Sequence, residues 1–285
     1  MKFTVTISDH PQHGDVFLDV AHAIVGALRE LGHEVTTDGR VIMLCGGHVD
    51  PARLPPDAIV FNTEQVTVEP TSRTAWLDGA RERWARHFFL DYSAANVAAL
   101  RARGIRVAHC PLGYTPRMER QWPSAVQDID VLWYGANTNW RRPVLEAFTS
   151  APLRTCMAYG VYGAERDRLI ARSKVVLNLH AWAERPIFEV FRASLLWSNR
   201  KCLVSEDGSV DPELEALAQR ASVVVPRDQI VEACRELVAN SARRRDVEER
   251  GHAAWRETDL AANLARALAE IEVISGLRPS SGLET

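Results

Sequence analysis

The sequence predicts an α/β protein of two domains, each a parallel sheet flanked by helices. Three observations predict it. Strand-like and helix-like segments alternate along nearly the whole chain. Several strand-like runs, such as "VIMLCG" and "AIVFNTE", are short and continuously apolar, as in strands covered on both faces. The alternation breaks at "PLGYTPRMERQWPSAVQD", Pro111 to Asp128, which has three prolines and no clean period, and then restarts. A length of 285 residues fits two domains of ordinary size.

The elements follow in order. "KFTVTIS" alternates like a strand, and the polar loop "DHPQHGD" follows it. "VFLDVAHAIVGALRELGH" is helical, because Phe17, Val20, Ala21, Ile24, Leu28 and Leu31 fall on one face at a spacing of 3.6. "LGHEVTT", "VIMLCG" and "AIVFNTE" are strands. A helix is expected from about Ser72 to His87, then the strand "FFLDY". A helix from about Ser93 to Arg103 has Ser93 as its N-cap, and the strand "IRVAHC" ends the first half.

After the break come the strand "IDVLWYG" and the helix "RRPVLEAF", with proline in its first turn. "APLRTCMAYG" reads as strand and turn, "AERDRLIARS" as helix and "KVVLNLH" as strand. "RPIFEVFRASLLWSN" reads as a helix with Pro186 in its first turn and a stripe of Ile187, Val190, Phe191, Ser194 and Leu195. "KCLVS", "DPELEALAQR", "SVVVP" and a helix from about Asp228 to Asn240 continue the pattern. A last helix places Leu260, Leu264, Leu268 and Ile271 on one stripe, and "GLRPSSGLET" reads as a flexible tail.

Composition narrows the function. Hydrophobic residues are 46% and charged residues 25%, the balance of a soluble globular protein. A formal net charge of −3 gives no general attraction to nucleic acid or anionic membrane. No run reaches the ~18 to 20 apolar residues that span a bilayer, and "MKFTVTISDHPQHG" lacks the apolar core of a signal peptide. A cytoplasmic location is expected. The five cysteines are widely spaced, without CxxC or zinc spacing, and read as buried thiols. No DxD stands at a strand end, since "DID" at Asp128 to Asp130 precedes a strand, so no metal site is expected. No GxGxxG follows the first strand and no GxSxG occurs, which argues against a dinucleotide oxidoreductase and a serine hydrolase.

Ligands in open α/β sheets lie outside the carboxyl ends of the strands, so the polar residues there are the candidates. After "VLWY" comes "GANTNWRR". Gly135 allows a tight turn, Asn137 lies in the loop, and Arg141 and Arg142 stand at a helix start, where an anion is favoured. The other reading is an ordinary loop with two exposed arginines. Asn178 and His180 share one face of the strand "KVVLNLH"; a histidine there is more often a hydrogen-bonded structural residue. Glu189 shares a helix side with Arg192, Ala193 and Leu196. It is either a solvated partner of Arg192 or an acceptor for two hydroxyls, as a ribose diol offers. Arg192 can bind phosphate oxygens. In the first half His13, Gly14 and Asp15 follow one strand, and Asn62, Glu64 and Gln65 another; each set is a surface loop or part of a site.

The order of these parts resembles group-1 glycosyltransferases with the GT-B fold, particularly the CgeB-like branch. The resemblance lies in "VLWYGANTNWRRPVLEAF", "ERDRLIARSKVVLNLH", "RPIFEVFRASLLWSNRKCLVSED" and "VVVPRDQIVEACRELVAN". "NVAALRARGIRVAHCPLGYTP" resembles the end of the family's first domain. The resemblance implies two Rossmann-like domains facing each other across a cleft. These would be residues 1–118 on the acceptor side and 119–256 for the nucleotide sugar, with a crossover helix at 257–275 packing back on the first domain and a tail at 276–285. It also implies that Glu189 binds the donor ribose and that Gly135, Arg141 and Arg142 lie near the donor phosphates. The chain has Ala181 where many members have an earlier glutamate, and "WSNRK" where members often have a glycine-rich turn.

The function these readings lead to is metal-independent transfer of a sugar from a nucleotide diphosphate sugar to an acceptor, with no separate cofactor. Retention of configuration follows by family analogy; an inverting course would need a base, for which His13, Asp15 and Glu64 are the candidates. The alternatives are a non-catalytic two-lobed nucleotide- or sugar-binding module and another two-domain α/β enzyme such as an epimerase.

Overall fold

A computed structural model describes residues 1–8, 15–44, 49–66, 77, 79–122, 126–184 and 186–276. The chain forms two compact units. One is Met1–Leu112 together with the chain from Asp259; the other is Gly113–Thr258.

The first unit has six strands: β1 (Lys2–Ile7), β2 (Glu34–Val35), β3 (Arg40–Leu44), β4 (Ile59–Asn62), β5 (Phe88–Asp91) and β6 (Val107–His109). All pair in parallel, in the order β2-β1-β3-β4-β5-β6. Its helices are α1 (Leu18–Glu30), α2 (Ala80–Arg83), α3 (Ala94–Ala102) and α10 (Leu260–Ile274). β4 and β5 are buried along their whole length, as continuous apolar runs require. α1 buries Val20, Ala21, Ile24 and Leu28 on the expected face. α3 starts at Ser93, whose hydroxyl accepts from the Asn96 amide at 3.2 Å. α10 buries Leu260, Leu264, Leu268 and Ile271 and packs against α1 and β6, so the last helix belongs to the first unit. Of the helix expected over residues 72–87, residues 72–76 and 78 lie outside the described residues; the remainder forms only the single turn α2 and then a turn before β5.

The second unit has β7 (Ile129–Tyr134), β8 (Thr155–Ala158), β9 (Ser173–Asn178), β10 (Cys202–Glu206) and β11 (Val223–Val225), with α4 (Arg142–Ala147), α5 (Gly163–Arg172), α6 (Val190–Ser198), α7 (Pro212–Ala221), α8 (Ile230–Ala239) and α9 (Ser241–Arg256). The strands are again parallel, in the order β11-β10-β9-β7-β8. The core joins Val131 and Trp133 of β7, Val175 and Leu177 of β9, and Val204 of β10 to Phe148, Ile230 and Leu237. The segment read as a break docks here: the Asn199 side chain donates to the Met118 carbonyl at 2.9 Å and accepts from the Arg120 amide at 2.6 Å.

α9 has no counterpart in the sequence reading. Its apolar stripe is narrow, with Val247, Gly251, Ala254 and Trp255 buried in an otherwise charged helix. Trp255 stands against Trp197 of α6 with ring centroids 5.5 Å apart, and its indole donates to Ser198 Oγ at 3.0 Å.

The strand order positions the site. β7 has β8 on one side and β9 on the other. The chain winds one way to β8 and the other way to β9, so the carboxyl ends of β7 and β9 flank a topological switch point. The first unit has the same feature at β1, flanked by β2 and β3. Its following loops, residues 9–14 and 45–48, lie outside the described residues, and His13 and Gly14 with them.

Candidate functional site

At the switch point of the second unit, β7 ends in two aromatic residues, Trp133 and Tyr134, before Gly135. Gly135 has φ +136°, which side chains rarely adopt. A Cβ on it would lie 2.9 Å from Arg192 Nη2. Glycine here therefore lets a guanidinium approach the turn.

Arg192 comes from the first turn of α6. Its guanidinium stands 4.6 Å from the Trp133 ring and 5.4 Å from the Tyr134 ring. Nη1 donates to Asn178 Oδ1, at the end of β9, at 2.9 Å. One arginine thus spans the ends of the two strands that define the switch point. Its anchor is a neutral amide, and among the described residues its buried Nε has no hydrogen-bond partner.

Arg141 is turned inward, with its side chain 4% exposed. It donates to the carbonyls of Leu179, His180 and Ala136. It lies 4.9 Å from the Trp133 ring and 3.2 Å from Glu189 Oε1. Burial pulls its pKa down to about 10, with the Glu189 carboxylate opposing that shift and the nearby Arg192 adding to it. Arg141 therefore stays charged and ties the β7–α4 loop to the end of β9. Arg141 and Arg142 stand at the start of α4, six residues long; Arg142 is exposed and donates to Asn139 Oδ1 at 3.0 Å. Asn137 is also exposed.

Glu189 is the residue before α6, with φ −75° and ψ 66°. The helix does not begin at Pro186. The Pro186 carbonyl accepts from Val210 N at 2.8 Å and Phe188 N donates to Ser209 Oγ at 3.2 Å, holding this stretch off the helix. The side it was expected to share is buried, since Ala193 and Leu196 are both inaccessible. It pairs with Arg141, 48 positions earlier in the chain, and its side chain keeps 21% exposure.

His180 is a strut. Its ring nitrogens lie 3.2 Å from the Ile187 carbonyl and 3.1 Å from the Asp207 carbonyl, and its amide donates to Glu206. Glu206, buried at the end of β10, also pairs with Arg227 at 2.9 Å. Arg227 stands 4.2 Å from the Trp140 ring and donates to the Trp140 carbonyl. Sequence reasoning missed Trp133, Glu206 and Arg227; the signal for Trp133 was an aromatic pair directly before a strand-end glycine.

The structure thus brings together Gly135, Arg141, Asn178, His180, Glu189 and Arg192. Arg141 pairs with Glu189 and Arg227 with Glu206, whereas Arg192 is held by the neutral Asn178 amide. In the first unit Asp15 is exposed ahead of α1. Glu64 follows β4 in a loop fastened by its backbone: Asn62 and Asn96 donate to its carbonyl at 2.9 and 2.8 Å. Asn62 also donates to Asp91 at 2.6 Å, so this asparagine is structural. Among the described residues no group of three or more His, Cys, Asp or Glu side chains could hold a metal ion, and no helix is long and apolar enough to cross a membrane.

Several solved structures share this architecture. AviGT4, a glycosyltransferase involved in avilamycin A biosynthesis, superposes with a TM-score of 0.54 at 17% identity, over 96% of this chain and 98% of that one. An alpha-glucosyltransferase in complex with UDP gives a TM-score of 0.59 at 10% identity, over 95% and 99%. TarM gives 0.52 at 9% identity, over 81% and 54%. These are GT-B glycosyltransferases, and the chain has their fold, with two Rossmann-like units. No family model matches the chain. In sequence it is 25% identical over 189 residues to the uncharacterized protein L140 of Acanthamoeba polyphaga mimivirus, a match over 64% of this chain. The chain spans about three fifths, 59%, of the length of that curated relative.

Proposed function

We propose that this chain is a glycosyltransferase of the group-1, CgeB-like kind, taking a sugar from a nucleotide diphosphate donor held at the β7/β9 switch point. The observation that carries the reading is Arg192: a guanidinium at a glycine turn, anchored to a neutral amide, with its buried Nε unbonded among the described residues. Such a group binds phosphate oxygens through charge-assisted hydrogen bonds. The UDP complex of a glycosyltransferase with the same fold supports it.

In this reading Arg192 and the Gly135 turn take the diphosphate. They stabilise the charge that grows on it as the glycosidic bond breaks, which is the role a metal plays elsewhere. Glu189, oriented by Arg141, accepts from the ribose hydroxyls. We take the course as retaining and independent of metal, with no separate cofactor beside the nucleotide sugar donor and its acceptor. A cytoplasmic setting is part of the same proposal. Should the configuration invert, the base is sought among His13, Asp15 and Glu64.

The test is incubation with a panel of uridine, thymidine, guanosine and adenosine diphosphate sugars in EDTA, reading the nucleoside diphosphate released. Release from one donor class supports transfer or its hydrolytic side reaction. Binding without release would make the chain a nucleotide-binding module, and absence of both would end the reading.

A further inference from the structure

The nucleotide reading leaves open where the nucleobase lies, and we infer that it stacks on Tyr159 and Tyr162. This inference rests on the proposed donor site. Of the large hydrophobic side chains exposed among the described residues, the two aromatic ones are these, at 48% and 37%. They stand three positions apart in one short turn, "YGVYG", between β8 and α5. The turn depends on left-handed backbone at Gly160 and Gly163, with φ +66° and +55°, and the space beside both glycines is open. The sequence thus builds a defined turn whose outcome is two rings held in solvent.

The turn's place matters. The Gly135 amide donates to the Ala158 carbonyl at 3.2 Å, and Tyr159 is the next residue. The tyrosine turn therefore begins about one strand spacing, ~4.8 Å, from the backbone where the diphosphate is proposed to lie. On the opposite flank the groups after β10 are engaged within the protein. Glu206 holds Arg227 and the His180 amide, Ser209 Oγ accepts from Phe188 N, and Asp211 caps α7 through Glu213 N and Leu214 N. A base attached to a diphosphate at Gly135 finds ring surface on the β8 side. Aromatic stacking tolerates every base, because each has a π-face.

The experiment is calorimetric titration of the four nucleoside diphosphates, their nucleotide sugars and inorganic pyrophosphate into the wild type and three variants. These are the double variant Tyr159→Ala/Tyr162→Ala, the double variant Tyr159→Phe/Tyr162→Phe, and Arg192→Met. The alanine pair is expected to weaken the bound nucleoside diphosphate about tenfold or more and leave pyrophosphate unchanged. The phenylalanine pair should bind like wild type, since stacking needs the ring and not the hydroxyl. Melting temperatures should agree, as both side chains are exposed. Equal nucleotide affinity in the alanine pair would overturn the inference; if Arg192→Met still weakened binding, the donor site itself would stand. Loss confined to nucleotide sugars would assign the rings to the sugar and overturn it as well. A wild type that binds no nucleotide would overturn both.

Discussion

Glu189 Oε1 lies 3.2 Å from the guanidinium of Arg141, a side chain only 4% exposed. The pair joins the loop after β7 to the start of α6. It explains why an acid sits among apolar residues: it faces a buried cation and still reaches solvent. Removing one member of a buried pair costs more than the pair contributes. Glu189→Gln keeps an acceptor for Arg141 but removes the counter-charge. It should lower stability by about 1–2 kcal/mol, discounted for the exposure of Glu189. Donor affinity should fall by about 1–3 kcal/mol if ribose hydroxyls bind the same carboxylate. Calorimetry with thermal melts reads both; unchanged affinity would leave Glu189 a tether for Arg141 alone.

Gly135→Ala tests the close approach at the turn. The new methyl would meet Arg192 Nη2 at 2.9 Å, at φ +136°. The guanidinium can move aside, so most of the effect falls on its placement. Stability should drop by about 1–2 kcal/mol from backbone strain, and nucleotide binding should weaken more than Tm suggests. A variant that binds as wild type does would show that Arg192 need not stand at the turn.

Asp130 gives a pH prediction. It receives the Arg154 side chain at 2.9 and 3.1 Å and Lys174 Nζ at 2.7 Å, with Arg154 the larger influence. These hold its carboxyl well below the ordinary value of 3.8. A depressed folded pKa contributes stability above the unfolded pKa, and that contribution is lost as pH falls toward the folded one. Asp130→Asn should therefore cost about 1 kcal/mol at pH 5 to 7, limited by the exposure of Arg154. The gap from wild type should close below about pH 4. A gap that stays constant down to pH 3 would mean the cost is not ionic.

Thiol reactivity provides an independent check on the two cores. Burial pushes the Cys110 and Cys202 thiols up to about 12 and Cys234 well above the usual value, whereas Cys156 is half-buried. The thiolate is the reactive form. Maleimide on the native protein should label Cys156 ahead of Cys110, Cys202 and Cys234, which should react only after unfolding. Peptide mass mapping reads the order.

The β7, β9 and β10 strands were legible as short apolar runs, and α10 because its apolar residues keep one helical period over its length. α9 was not, because its buried residues are few and set among arginines and glutamates. The start of α6 was misread because Pro186 fits a first turn locally, while hydrogen bonds to Ser209 and Val210, more than 20 residues away, decide the backbone there. Arg141 and Arg142 look alike in sequence. One faces in and the other out because adjacent residues at a helix start point in different directions, and only tertiary packing chooses between them. Gly135, Asn178 and Arg192 were legible as residues, but their convergence on one point depends on the strand order, which the sequence does not state.

The central claim is that a nucleotide diphosphate binds where Arg192 bridges Asn178 and the Gly135 turn. Calorimetric titration of nucleoside diphosphates into wild type and Arg192→Met tests it most directly, since methionine keeps much of the stem against Trp133 and removes the charge. The account predicts binding by the wild type and a loss of about 1.5–3 kcal/mol, roughly tenfold or more, in the variant, with little change in Tm. Equal affinity in the two proteins, or no binding by the wild type, would contradict it.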